Sequence, residues 1–560
     1  MARQTWSIVC LAALLAVVAG AGEDDLVKKV PGLIFESHFK VYSGYLNASG
    51  DPGSDRLMHY MLTESKGDPA NDPLLVWFNG GPGCSSFSGA FEELGPFYIN
   101  KDGETLFENV YSWNARANVL YLESPIGVGF SYSQSNPNYY QADDNQTLYQ
   151  NYYAIQDFFN RVQPRFANQT FYLSGESYAG LYLPMLSALI TNDTDFPATL
   201  GGFAIGNGFM DVKGLTNSLV LWSNYHGRFS LNDWATLKSG DCCTKSNPTD
   251  DFDSCDWTGN LDSKNGIDYF GKDSKCGKIL NPIVNSSVYN VDPYNFYEDC
   301  YNGSFITYFG KPRRADYVAR STEPNTAKLF NRDSTDPFLG YPCWQEDYVA
   351  VYFNDPAVQD AYNINPVWRE NNLTFADCNM NTYNNYHLTY NNMAPFFDTI
   401  IQNAPNFRIL VYNGDVDTVC NFLGDAKFID GVAKTHDFTP APSRDVWFFR
   451  NAVAGFNQRY TSNDTTFLID VLTIKGAGHM VPLDRPGPAL QMITNFVHSA
   501  KPDYTDPSLI NPVAQPAPLL NTPTPGPATT VVPETTTKGA MSTLSVSILT
   551  LLGVLGYNFL

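Results

Sequence analysis

Five short apolar runs, each closed by a turn, recur along the chain: PLLVWFNGG at 73–81, ANVLYLESP at 117–125, TFYLSG at 170–175, FRILVYNG at 407–414 and FLIDVLTIKG at 467–476. Their cores are rich in Val, Ile, Leu and aromatics and lack polar alternation, the pattern of strands covered on both faces. A helical period lies between two of them. In LYQNYYAIQDFFNRV, residues Leu148, Tyr152, Ile155, Phe159 and Val162 fall on one face. Strands alternating with helices predict an α/β fold with a mainly parallel central sheet. From about 211 to 342 the rhythm stops. This stretch is rich in Asn, Asp, Ser and Tyr, lacks long apolar runs and carries Cys242, Cys243, Cys255, Cys276 and Cys300. It is expected to be an inserted, disulfide-stapled cap over one end of the sheet.

Both ends depart from this pattern. The N-terminal MARQTWSIVCLAALLAVVAGAGEDD sets Arg3 before an apolar run from Ile8 to Val18, with small residues at Ala19 to Ala21. The run is short for a bilayer span and has a cleavage-like end, so it reads as a secretory signal peptide that takes Cys10 with it. From Pro512 to Lys538 the sequence is rich in Pro and Thr, which cannot build a core and reads as an O-glycosylated stalk. The apolar MSTLSVSILTLLGVLGYNFL follows, with no basic residue after it. With Gly539 and Ala540 ahead of it, this tail resembles a lipid-attachment signal. GPI anchoring is the expectation, with a plain tail anchor or a soluble form as alternatives. The chain thus divides into a signal peptide (1–21), a first core part (27–210), the cap (211–342), a second core part (343–505), the stalk (506–540) and the tail (541–560).

Composition narrows the partners. A formal charge of −22 and a pI near 4.6 leave no basic field for phosphate, so nucleic acid is not an expected partner. Nine cysteines remain beyond the signal peptide: the five above with Cys84, Cys343, Cys378 and Cys420. An odd count on a secretory route implies up to four disulfides and one free thiol. Adjacent Cys242 and Cys243, without C-x-x-C pairs or a nearby histidine, point away from zinc, and no metal is expected. Sequons at Asn47, Asn145, Asn168, Asn192, Asn285, Asn302, Asn372 and Asn463 suggest a glycoprotein.

Candidate chemistry begins at FYLSGESYAG, residues 171–180, where an apolar strand ends in a glycine–serine–glycine turn. The spacing is that of a strand-to-helix elbow exposing a nucleophile, here Ser177, although plain tight loops share it. A base and an acid must therefore decide. His479 follows an apolar strand in the glycine-rich KGAGHMVPLD, and LVYNGDVDTVCNF places Asp415 and Asp417 after another strand. Residue types alone do not choose between the two aspartates. The order Ser, Asp, His is that of α/β-hydrolases, and all three follow strands, where open α/β sheets place their sites.

Five longer motifs now stand in register: WFNGGPGCSSFSGAFEELGPF, YSWNARANVLYLESPIGVGFSYS, FYLSGESYAG, YNGDVDTVCNFLG and IKGAGHMVPLDRP. Over about residues 30 to 500 they resemble serine carboxypeptidases of the carboxypeptidase Y and cathepsin A type. The resemblance implies an α/β-hydrolase fold and a cofactor-free exopeptidase that releases C-terminal amino acids at acidic pH through an acyl-enzyme. It implies Ser177 as nucleophile, His479 as general base and then acid, and Asp417 as the orienting carboxylate, leaving Asp415 as a loop hydrogen-bonder. It assigns the oxyanion hole to the N–H groups of Gly81 and Tyr178, and recognition of the substrate carboxylate to Asn79, Glu93 and Glu176. It further implies disulfides Cys84–Cys378, Cys242–Cys276, Cys243–Cys255 and Cys300–Cys343, with Cys420 free. Expected partners are peptides or proteins with a free C-terminus, the membrane through the tail, and a second copy of the chain; the expected location is the cell surface, the extracellular space or the lysosome. Two features depart from the pattern. Leu181 stands where many relatives have histidine, which bears on a pocket wall, and the stalk and tail lie outside the usual soluble form. Two rival readings are an acyltransferase or esterase on the same triad, since fold and triad do not fix the acceptor, and a surface glycoprotein with a mainly binding or protective role.

Overall fold

Apolar runs with no polar face must be covered on both sides, and they form the middle of one large sheet. The structure, a computed structural model, describes residues 21–51, 55–99, 103–167, 169–245, 252–263, 265–285, 291–297 and 348–514. Cys300, Cys343, Asn168, Asn302, nearly all of the signal peptide, most of the stalk and all of the tail lie outside these residues.

The sheet has twelve strands: β1 (Val41–Asn47), β2 (Arg56–Thr63), β3 (Leu74–Phe78), β4 (Asn118–Leu122), β5 (Tyr132–Ser133), β6 (Thr170–Ser177), β7 (Thr199–Gly208), β8 (Arg408–Gly414), β9 (Thr439–Pro440), β10 (Asp445–Phe449), β11 (Ala452–Thr461) and β12 (Leu468–Ile474). Their spatial order is β1–β2–β4–β3–β6–β7–β8–β12–β11–β9, with β5 on β2 and β10 on β11. The six from β4 to β12 run parallel. The flanking strands pair antiparallel. Every residue of β3, β4, β8 and β12 is buried. Their side chains alternate between two cores: Val76, Phe78, Leu173 and Val411 pack with Leu183 and Leu186 on one side. Leu75, Trp77, Tyr412 and Leu472 pack with Leu490, Ile493 and Phe496 on the other.

The helices that cover these faces include α1 (Ser86–Ser88), α2 (Asp144–Asp157), α3 (Ala179–Asn192), α6 (Ala394–Asn403), α7 (Phe422–Thr435) and α8 (Pro486–His498), while α4 (Val212–Tyr225) and α5 (Lys275–Val284) pack around a separate core. The predicted apolar face at 148–162 belongs to α2, which widens into a π-helical turn at Phe158–Val162 and so buries both Phe158 and Phe159. The predicted cap region holds α4, α5 and a small antiparallel pair, Leu261–Ser263 with Tyr269–Gly271. A separate small core of Val220, Leu221, Leu237, Trp257 and Leu280 includes the bonded pairs Cys242–Cys276 and Cys243–Cys255. Cys84 is bonded to Cys378, 294 residues away, and Cys420 is free and buried. Among the described sequons Asn192, Asn372 and Asn463 are exposed, and Asn47, Asn145 and Asn285 partly so.

Candidate active site

Ser177 is the last residue of β6, and its backbone sits at φ 61°, a left-handed conformation that serine rarely adopts. This is the elbow geometry: the chain leaves a strand, turns sharply and enters α3 within two residues. The β6–β7 register shifts here, so that Glu176 pairs with Gly206 and Ser177 with Gly208. Asn207, skipped by the ladder and itself at φ 41°, is left to reach elsewhere.

It reaches the acid loop. Asn207 Nδ2 donates to Asp417 Oδ2 at 2.8 Å, while its Oδ1 accepts the Gly414 N–H at 3.0 Å. Asp417, fully buried, also accepts the N–H groups of Val419 (2.8 Å) and Cys420 (3.0 Å). Its Oδ2 lies 2.8 Å from His479 Nδ1. Of the two candidate aspartates, the structure brings only Asp417 to the histidine. Asp415 instead accepts the Gly476 N–H at 2.7 Å, and burial pushes its carboxyl up from the ordinary range. His479 Nε2 is buried and has no hydrogen-bond partner among the described residues. It opens onto a cleft lined by Gly80, Gly81, Cys84, Glu176, Ser177, Tyr294 and His479.

The stretch from Val291 to Tyr297, in the predicted cap region, straps the two loops that carry Asp417 and His479. The Tyr294 carbonyl accepts the His479 N–H at 2.6 Å, and the Pro293 carbonyl accepts the Thr418 N–H at 3.0 Å. The Phe296 N–H returns to the Val416 carbonyl at 3.0 Å, and the Tyr294 ring meets the imidazole edge-on at 4.9 Å. Burial drives the Tyr294 hydroxyl well above the usual phenol range, so it is a neutral wall of the cleft.

On the other side of Ser177 lies the turn after β3. A Cβ on Gly80 would sit 2.5 Å from the Tyr178 N, so the turn packs directly on the elbow, and Gly81 takes φ 111°, a conformation that excludes other residues. Gly81 and Tyr178 therefore lie on the two segments that meet beside the serine. Asn79 is buried at the end of β3. Its Nδ2 donates to Glu176 Oε1 at 3.0 Å and to Glu93 Oε1 at 3.3 Å, with both carboxyls buried. Its Oδ1 is held by Trp77 Nε1 (2.7 Å) and the Gly89 N–H (3.0 Å), which fixes the amide orientation. Leu181 packs in the core behind the elbow and is not among the residues lining the cleft.

The family model for serine carboxypeptidases matches residues 31–499. The chain belongs to the serine carboxypeptidase family. Members of this family are hydrolases that act as exopeptidases. Among its relatives, the serine carboxypeptidase ctsa-3.1 of Caenorhabditis elegans is 47% identical over 557 residues, covering 92% of this chain and 96% of that one. The lysosomal protective protein of Mus musculus is 35% identical, covering 85% of this chain and 94% of that one. In fold the chain is similar to Kex1(Δ)p, a prohormone-processing carboxypeptidase from Saccharomyces cerevisiae, with TM-score 0.59, 20% identity, and coverage of 85% of this chain and 96% of that one.

Two residues of this candidate site are not among those the sequence pointed to. Asn207 had a local signal, since an Asn between two glycines at the end of an apolar run marks a positive-φ position. Tyr294 had none, being one tyrosine of 34, delivered by the insertion.

Proposed function

We propose that the protein removes C-terminal amino acids from peptides and proteins by acyl-enzyme chemistry, most effectively at acidic pH. Ser177 attacks the scissile carbonyl; His479 Nε2 takes its proton and later returns it to the leaving amino acid; Asp417 holds the imidazole and stabilises its charged form. The Gly81 and Tyr178 N–H groups receive the oxyanion. The reading is supported by the buried Asp417–His479 hydrogen bond opening onto the cleft that Ser177 lines.

Exopeptidase action rests on one observation: Asn79 Nδ2 bridges the Glu93 and Glu176 carboxyls beside the nucleophile. Two buried carboxyls this close cannot both ionise when a substrate carboxylate joins them, so at least one carries a proton and donates it. As pH rises that proton is lost and the substrate is repelled. Hydrolysis of a blocked dipeptide with a free C-terminus should therefore be best at about pH 4.5–6, with KM climbing above that range. The corresponding C-terminal amide or ester lacks the carboxylate, so its KM should not climb in the same way toward neutral pH. Glu93→Gln or Glu176→Gln should narrow the gap. One common profile for all substrates would refute the carboxylate site and favour the esterase or acyltransferase alternative.

We also infer passage through the secretory route, supported by the three bonded cysteine pairs and the N-terminal apolar run. Its finer form is exchange of the tail for a lipid anchor, which fits the Pro/Thr stalk ahead of an apolar stretch of about seventeen residues, short for a span. Mass spectrometry of the mature C-terminus tests it: a lipid-linked residue near Gly539 is expected, and Leu560 still attached excludes it.

A further inference from the structure

A second histidine–carboxylate pair lies apart from the cleft and is sealed from water. His59 on β2 and Glu123 just after β4 are both 0% exposed, with Nδ1 and Oε2 2.9 Å apart. The rings of Tyr45, Phe87 and Phe130 surround the imidazole at 5.1, 5.4 and 5.3 Å. On its far side Nε2 lies 2.9 Å from Ser43 Oγ, whose hydroxyl donates to the Tyr362 carbonyl at 2.6 Å.

The proton inventory follows. Ser43 has one hydroxyl proton, and the Tyr362 carbonyl, which can only accept, takes it. Toward His59 the serine is therefore an acceptor, so Nε2 carries a proton. A second proton lies in the Nδ1···Oε2 hydrogen bond. Whether it rests on imidazole or carboxyl, the pair is neutral as a unit, which is how two ionisable groups tolerate full burial. The carboxylate is completed by the Phe130 N–H at Oε2 (2.9 Å) and by the Ser85 hydroxyl at Oε1. A Cβ on Gly129 would fall 1.7 Å from Glu123 Oε1, so the neighbouring turn is shaped around this carboxyl.

Ser85 connects the pair to the site. It follows Cys84, which lines the cleft, and caps α1 by accepting the Phe87 N–H at 3.1 Å. The next residue, Ser86, accepts the Asn79 N–H at 3.1 Å, and the Gly89 N–H holds Asn79 Oδ1. Displacing Ser85 therefore displaces both the turn at 80–84 and Asn79.

We propose that His59 and Glu123 are positioning residues for the reaction: their neutral, proton-sharing pair anchors Ser85, and through it sets the turn carrying Gly81 and the amide of Asn79 against Ser177. The proposal rests on the reading of Ser177 as nucleophile. It is tested on the full chain as wild type, His59→Phe, His59→Phe/Glu123→Gln and Ser85→Ala. The readouts are the rate at which a fluorophosphonate labels Ser177, and kcat and KM per labelled site on a free-acid dipeptide and its ester. His59→Phe strands an unpaired buried acid, so labelling should slow by about tenfold or more and KM for the free-acid substrate should rise. The double variant, with a neutral amide in place of that acid, should recover to within about threefold, because paired residues are non-additive. Ser85→Ala, which leaves the pair intact, should slow labelling in the same direction. A merely structural pair would lower the unfolding temperature and the number of labelled sites while each labelled site kept wild-type constants; that result overturns the proposal. Should His59→Phe not fold, wild-type labelling in Ser85→Ala overturns it alone. Failure of the wild type to label removes the nucleophile reading and this proposal with it, whereas labelled wild type with unaffected variants removes only the positioning role.

Discussion

Ser177 owes its presentation to a backbone that serine resists, and its side chain does no packing that alanine could not do. Ser177→Ala should therefore fold and secrete normally while kcat drops by about a million-fold, measured on purified protein against an ester substrate. Asn207 differs, because it satisfies three partners in a dry site: Asp417, the Gly414 N–H and the Cys420 carbonyl at 3.2 Å. Asn207→Ala should cost about 1–3 kcal/mol in denaturant unfolding and lower kcat as well, since Asp417 loses a donor. Cys420 is fully buried, and burial, followed by the nearby charges of Asp417 and Asp425, holds its thiol well above the usual range. Iodoacetamide should leave it unmodified in the folded enzyme at pH 7.5 and alkylate it after unfolding, as read by mass spectrometry. Ser177 and His479 are legible in the sequence because glycines announce the turns that present them. The choice of Asp417 over Asp415 is legible through the motif resemblance but not from residue types, because both follow one strand and the three-dimensional path of the loop decides which meets the imidazole.

At the scale of elements, two strand ends and a helix are pinned together by one buried acid. Asp425, in the first turn of α7, accepts the Gly208 N–H from β7 at 3.0 Å and Asn413 Nδ2 from β8 at 2.7 Å. Burial raises its carboxyl well above the ordinary value, with those two donors opposing. An acid whose folded pKa is raised binds a proton on folding, so its contribution weakens as pH climbs from the ordinary carboxyl value of about 4 toward the folded value. Asp425→Asn keeps an acceptor for both donors and removes the titration. It should match the wild type in melting temperature at about pH 4 and exceed it increasingly toward pH 7; a constant offset at every pH would mean that Asp425 does not titrate in this window. Five of the six parallel strands are legible in sequence because burial on both faces leaves uninterrupted apolar runs; β7 (TLGGFAIGNG) is not, its run being broken by glycines. The antiparallel margins are not: β1 (VYSGYLN) and β11 (AVAGFNQRYT) mix polar residues and glycine into the run. Nor are α4 and α5, whose buried faces are completed by cysteines and tryptophans from elsewhere in the insertion.

Across the whole molecule, the bond from Cys84 to Cys378 ties the cleft turn to the chain that returns after the insertion. Cys84→Ser/Cys378→Ser should cost about 2–5 kcal/mol in thermal or denaturant unfolding, because so long a loop is costly to close. The same variant should lose activity faster than stability on warming, since Cys84 also lines the cleft. A variant with unchanged unfolding would leave the bond without a stabilising role. Cysteine density and the break in rhythm mark the stretch expected to be an insertion, but the strap of 291–297 across the loops of Asp417 and His479 has no local signal, because nothing marks Pro293 and Tyr294. That strap limits how the enzyme can be re-engineered. The insertion looks like a detachable module, one that could be exchanged between relatives to change substrate choice while the sheet keeps the chemistry. Yet the loops carrying Asp417 and His479 each borrow a carbonyl from it, Pro293 for the Thr418 N–H and Tyr294 for the His479 N–H, so a graft without equivalents of residues 293 and 294 would leave the N–H of His479 facing no acceptor where water does not reach. A successful transplant must therefore bring its own docking points, and variation in substrate choice is freer in the parts of the insertion beyond 291–297 than within them.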